Sequence, residues 1–190
     1  MPMRVIFLDT EFTSAGELIQ LSYLMDDGER CRAKNFYFRA SEMDEGSQRV
    51  HHLTKEFLDR IGVDRDSVRD EILADFSGAT LAAHNLNSDR RVLEMAFGPL
   101  PNRWGLCTMY RFARVLKLPG GRPYKFPSLR ELTAHYRVTD ALVGSCVREA
   151  FLCAAAPHDA RWDAMAVRLC VRAAIARGDC RNLFLNTTED

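Results

Sequence analysis

RVIFLDTEFT, residues 4–13, runs from an apolar strand straight into two carboxylates, Asp9 and Glu11, spaced two apart. Val5 to Leu8 have the branched and aromatic composition of a core strand, which is expected over residues 3–9. Successive side chains on a strand alternate between faces, so Asp9 and Glu11 point the same way and Thr10 points into the opposite layer. Two like charges held side by side raise one another's pKa unless a cation lies against them. The nearest basic residue upstream is Arg4, and none follows until Arg30. A divalent metal is one partner that fits. A strand end reaching solvent, where charged side chains are ordinary, is the other reading of the same two residues.

The rest of the composition sets the frame for that pair. A chain of 190 residues that is 47% hydrophobic suits one domain, large enough to bury roughly two-thirds of the surface it would expose unfolded. It has neither a basic-then-apolar leader nor an apolar run of membrane-spanning length, and it reads as a cytoplasmic protein with no membrane partner. Six cysteines are scattered, with no C-x-x-C pair and no zinc-like spacing, as in a reduced compartment. The formal net charge of zero conceals an asymmetry. Residues 1–95 carry 12 basic against 18 acidic side chains, and residues 96–190 carry 14 against 8. An acidic site with a basic surround gives that pattern, as does ordinary uneven partition of charge, and it is the local field that steers a charged ligand.

Two more strands are expected at ELIQLSYLM (17–25) and CRAKNFYFR (31–39), joined by the turn Asp26-Asp27-Gly28. Helical periodicity follows over 54–61 and 66–76. TLAAHN (80–85) reads as a short buried strand feeding a helix over 88–97, which Pro99 and Pro101 stop. WGLCT (104–108) reads as a last strand, before helices over 109–116, 128–136, 141–155 and 159–176. Strands first, then strands alternating with helices, indicate an α/β protein: a mixed central sheet of three antiparallel strands followed by parallel ones, flanked by helices. One domain over 1–180 and a short C-terminal tail over 181–190 are expected.

Two further acidic positions follow the strands. In AAHNLNSDRRVLE, His84 and Asn85 close a strand and Asp89 falls in the first turn of the next helix, where Ser88 or Asp89 would also serve as a cap. In PHDARWDAMAV, His158 precedes Asp163 by five residues. Within one helix that spacing would set them about 140° apart, so His158 belongs to the preceding loop and Asp163 to the inward face, among Ala160, Ala164 and Ala166. The plainer alternative is that Asp159 caps the helix and Asp163 pairs with a nearby arginine such as Arg161.

Together, D-x-E on a first strand, H-N-x-x-x-D after a later strand and H-x-x-x-x-D opening a late helix resemble the DEDDh branch of the DnaQ-like 3′–5′ exonucleases, on a ribonuclease H-like fold. The resemblance runs from Leu8 to about Ala166, in the family's order and with similar spacing. VHHLT (50–54) resembles the family's segment near the terminal nucleotide, and SLREL (128–132) its short helix before the last motif. The resemblance implies that Asp9, Glu11, Asp89 and Asp163 hold two divalent cations, Mg²⁺ or Mn²⁺, and that His158 is the general base. The residue types suit that chemistry: hard cations prefer oxygen ligands, a metal pair serves in-line phosphodiester hydrolysis, and an imidazole takes protons near neutral pH.

The same resemblance implies that Phe12 and Thr13 touch the terminal nucleotide, that His52 and Leu53 pack on its base, and that Asn85 contributes to the substrate site. The implied partner is nucleic acid with a free 3′ end, DNA favoured over RNA because HHLT resembles the proofreading type, with a polymerase or other replication or repair protein as a candidate partner. An exoribonuclease and a non-catalytic binding module of the same fold are the alternatives. GGRPYKFP (120–127) reads either as a basic and aromatic lip or as an ordinary turn-rich connection. Arg161, Arg168 and Arg172 read as a solvated helix face. CRNLFLN (180–186) resembles a partner-docking peptide without its leading glutamine.

Overall fold

A computed structural model describes residues 4–28 and 30–180. The tail over 181–190 and most of CRNLFLN lie outside the described residues, as does Met3 of the expected first strand. β1 (Val5–Phe12), β2 (Leu18–Asp26) and β3 (Cys31–Tyr37) form an antiparallel meander. α1 (Glu45–His51), α2 (Lys55–Ile61) and α3 (Arg65–Phe76) lead to β4 (Thr80–Ala83), α4 (Leu86–Phe97) and β5 (Arg103–Cys107). α5 (Thr108–Leu116), α6 (Leu129–Tyr136), α7 (Asp140–Phe151) and α8 (Ala160–Arg177) follow. The sheet order is β3-β2-β1-β4-β5, with β4 and β5 parallel to β1. This is the mixed sheet, antiparallel then parallel and flanked by helices, that the patterning indicates.

β1 is longer than its apolar run. It continues through Asp9 and Glu11 to Phe12 because β2 keeps pairing with it, Asp9 opposite Ser22 and Glu11 opposite Gln20. On its other side β4 pairs only with Val5 to Phe7. The second half of β1 therefore has one strand neighbour and leaves room beside it for side chains from the helical layers.

Alternation along β1 divides the molecule into two cores. Val5 and Phe7 face a cluster built with Phe112, Leu132, Val143, Trp162, Met165 and Val167 from α5 to α8. Ile6 and Leu8 face another, with Ile72, Phe76, Val92, Leu93 and Phe97 from α3 and α4. One helix escapes the pattern and another ends earlier than expected. α1 escapes the periodicity because it spans only two turns and includes Gly46; its start depends on Asp44, whose carboxylate accepts from the Ser47 backbone N–H. α7 stops at Phe151 because Leu152 turns into the left-handed region at φ 57°.

α8 is tied to the sheet by charge as well as by apolar packing. Asp26, at the end of β2, accepts from Arg168 at 2.7 Å and from Arg172 at 3.2 Å. Burial alone would raise the Asp26 pKa, but the Gly28 backbone N–H and the Arg168 guanidinium outweigh it and hold the carboxyl below its ordinary value. A depressed carboxylate stabilises the fold above its unfolded pKa, and that contribution disappears as pH falls through the folded value. Asp26→Asn is expected to cost about 3 kcal/mol at neutral pH. Urea unfolding at pH 7 and at pH 3 checks it, since the gap between the two proteins should narrow in acid.

Candidate active site

Three carboxylates converge where β1 outruns β4. One oxygen from each of Asp9, Glu11 and Asp163 lies within 4.8 Å of the others, all three residues being half-buried. Asp9 and Glu11 arrive on one face of β1, and Asp163 from the first turn of α8. Among the described residues no lysine, arginine or histidine forms an ion pair with any of them.

Asp89 reaches the same neighbourhood from the other layer and is only 3% exposed. The Thr10 hydroxyl, pointing away from Asp9 as alternation requires, donates to Asp89 Oδ1 at 2.8 Å. Asp89 is not the helix cap. That place is taken by Asn85 in the left-handed region, whose amide donates to Ser88 Oγ at 2.8 Å.

The electrostatics record an uncompensated cluster. Asp9 is pushed well above the usual carboxylate range by burial and then by Asp163, Asp89 and Glu11. Glu11 is pushed up to about 9 by burial, with Asp163 the largest of the charges acting on it. Burial lifts Asp89 to about 7 against the Thr10 hydrogen bond, and lifts Asp163 to about 7 against the His158 backbone amide. Hard oxygen donors carrying excess negative charge are the donor set that Mg²⁺ or Mn²⁺ takes.

His158 lies in the loop before α8, exposed and in the left-handed region at φ 66°. It lines, with Asp163, Pro157, Trp162, Leu129 and Arg130, a cavity of about 470 Å³. Arg161 does not pair with Asp163. It pairs with Asp159, which caps α8 by accepting from the Arg161 backbone N–H at 3.0 Å. Nor is Arg168 part of a solvated face, since it is largely buried against Asp26, whereas Arg172 reaches Asp26 with half its side chain still in solvent.

The fully buried Gln20 was hidden among the apolar residues of β2. Its amide donates to Asp159 Oδ1 at 3.0 Å and to Asn35 Oδ1 at 2.9 Å, while its carbonyl accepts from the Ala160 backbone N–H. It thereby fixes the start of α8, and with it Asp163, against β2. The one signal was a polar residue inside LIQLSYLM.

The expected substrate residues are unequally available. Phe12 packs partly against the α4-side core. Thr13 is buried, and its hydroxyl accepts from the Glu17 backbone N–H at 3.2 Å. His52 is exposed at the left-handed end of α1. Leu53 is buried against Ile19, Ala40 and Leu58, its N–H donating to His51 Nδ1 at 3.0 Å.

No protein-family model matches this sequence. No curated protein matches it either. Solved structures do match. Exonuclease I from Methylocaldum szegediense superimposes with a TM-score of 0.66 at 17% identity, over 93% of this chain and 41% of that one. E. coli exonuclease I in complex with a 5cy-dT13 oligonucleotide gives 0.68 at 16% identity, over 94% of this chain and 41% of that one. The zinc-bound form of the E. coli enzyme with single-stranded DNA gives 0.68 at 16%, over 94% and 42%.

This chain shares the fold of one part of exonuclease I. It spans about two-fifths of the length of the exonuclease I chains it matches. Within that fold, the acidic cluster stands at the carboxyl end of the central strand, the edge at which open α/β sheets receive ligands.

Proposed function

We propose that this chain is a metal-dependent 3′–5′ exonuclease that hydrolyses the terminal phosphodiester bond of single-stranded nucleic acid, DNA in preference to RNA, and releases nucleoside 5′-monophosphates. The observation that carries the reading is the convergence of Asp9, Glu11 and Asp163, with no basic partner among the described residues. Likeness of fold to exonuclease I bound to oligonucleotides supports it.

Asp9, Glu11 and Asp163 would hold the cations, with Asp89 alongside. Bound there, two divalent ions such as Mg²⁺ or Mn²⁺ would supply Lewis acidity toward a phosphodiester. Asp9 and Glu11 fix the position of the charge because their strand is paired to β2 at both residues. The Thr10 hydroxyl holds Asp89 in one rotamer. The His158 imidazole, exposed at the cavity rim, takes a proton from the attacking water and returns it to solvent. The 1–180 segment would form the exonuclease domain, working in the cytoplasm with a replication or repair partner.

A time course on 5′-labelled DNA and RNA of one sequence tests the reading, with Mg²⁺, Mn²⁺ or chelator and with Asp9→Ala beside the wild type. The expected result is a ladder that shortens from the 3′ end, faster on DNA, and is abolished by chelator and by the substitution. Faster shortening of RNA would make the chain an exoribonuclease. No shortening with any metal would leave a binding module.

A further inference from the structure

Between Glu94 and Glu131 the sequence holds no acidic residue and seven basic ones. The fold brings part of this run to the catalytic edge. β1, β4 and β5 are parallel, so their carboxyl ends share one edge of the sheet. α5 begins at Thr108, directly after β5, which sets Tyr110 at that edge. His84, the residue after β4, lies with its Nδ1 2.9 Å from the Thr108 hydroxyl and also bonds the Pro127 backbone, drawing the end of the 117–128 connection to the same place.

Two rings stand there in solvent. Tyr110 is 44% exposed and Phe126 is 51% exposed, and they meet edge to face with centroids 4.7 Å apart. Spacing of four residues puts Tyr110 and Arg114 on one face of α5, and the exposed Lys117 ends that helix in the left-handed region. The Lys125 N–H donates to the Leu118 carbonyl, folding the connection back over the end of that helix. In the other direction, Phe126 is two residues from Ser128, which with Arg130, His158 and Asp163 lines the cavity of the candidate active site.

The charges on this path are available. Among the described residues Arg114, Lys117 and Arg130 form no ion pair, whereas Lys125 is held by Glu131 at 2.6 Å and Arg111 turns to Cys180. Exposed rings interleaved with unpaired cations match a single strand, whose bases offer free faces and whose phosphates supply the countercharge. A duplex hides those faces. An acidic peptide would satisfy the cations and leave the rings without partners.

We propose that Phe126, Tyr110, Arg114 and Lys117 form a track for the part of a single-stranded nucleic acid that lies upstream of its 3′ end, with Arg130 joining the track to the cavity. The direction of the strand rests on the exonuclease reading; the binding does not. Unstacked bases lie on the two rings, and successive phosphates follow the exposed face of α5.

Binding of a fluorescein-labelled oligothymidylate of about 20 residues is measured by anisotropy in chelator, on an Asp9→Asn background. Tyr110→Ala/Phe126→Ala should weaken it about tenfold or more, and Tyr110→Phe/Phe126→Trp should restore it. Arg114→Gln/Lys117→Gln should lower the slope of log affinity against log salt by about 1.4. On an abasic strand of equal length the ring variant should bind like its parent. Unchanged affinity in the ring variant overturns the track, as does an equal loss on the abasic strand, on duplex DNA or on polyglutamate. If the chain binds the strand through the rings yet hydrolyses nothing, the exonuclease reading fails and the track stands. If it degrades DNA and the ring variant binds normally, only the track fails.

Discussion

Asp9→Asn should abolish hydrolysis, by at least about a thousandfold, and at the same time raise the melting temperature of the chelator-treated protein. The two effects share one cause. Asp9 lies half-buried among Asp163, Asp89 and Glu11, and no described lysine or arginine is paired with it. The wild-type fold therefore carries a repulsion that it would lose if one carboxylate became a neutral amide of the same shape. A carboxyl whose folded pKa exceeds its unfolded pKa keeps protons that the unfolded chain releases, so stability falls as pH rises between the two values. With Glu11 at about 9 and Asp89 and Asp163 at about 7, the metal-free wild type should lose stability from weakly acid to alkaline pH. Asp9→Asn should lose less. Mn²⁺ should raise the wild-type melting temperature at pH 8 and leave that of the variant nearly unmoved. Thermal melts with chelator and with metal decide the matter. A variant that melts below the wild type in chelator would mean that the cluster is not under electrostatic load.

His158→Ala should lower kcat by roughly a hundredfold to ten-thousandfold, the range for loss of a general base, while leaving the melting-temperature rise produced by Mn²⁺ unchanged. His158 is exposed on the loop side of the cavity, outside the group of carboxylates, so its removal subtracts a proton acceptor and no cation ligand. Single-turnover rates with excess enzyme separate chemistry from release of the shortened strand. A kcat within a few-fold of the wild type would remove His158 from the reaction. A lost Mn²⁺ response would make it part of the metal seat instead.

Much of this architecture was legible in local pattern. The apolar run before Asp9, the turn between two β-rich stretches and the buried TLAA strand lead to the mixed sheet, because each depends on neighbours in sequence. The position of His158 followed from angular spacing alone. What sequence pattern missed depends on partners far along the chain. Thr10 meets Asp89 across 79 positions, Gln20 meets Asp159 across 139, and Arg168 meets Asp26 across 142. Read locally, Thr10 was a strand residue pointing away from the site, Gln20 was one more residue of an expected strand and Arg168 was a solvated arginine. α1 was missed because its helix is specified by a cap more than by periodicity.

The second half of β1 is bordered by β2 alone, and the carboxylates beside it come from both helical layers. Asp163 belongs to the α8 layer, Asp89 to the α4 layer, and the strand between them separates two apolar cores. A cation bound here would act as a rivet through the sheet. Amide exchange should then slow in α4 and α8 together when metal is added, although the two helices lie on opposite faces. An ion held there would thus decide whether the two halves of the molecule open independently or as one.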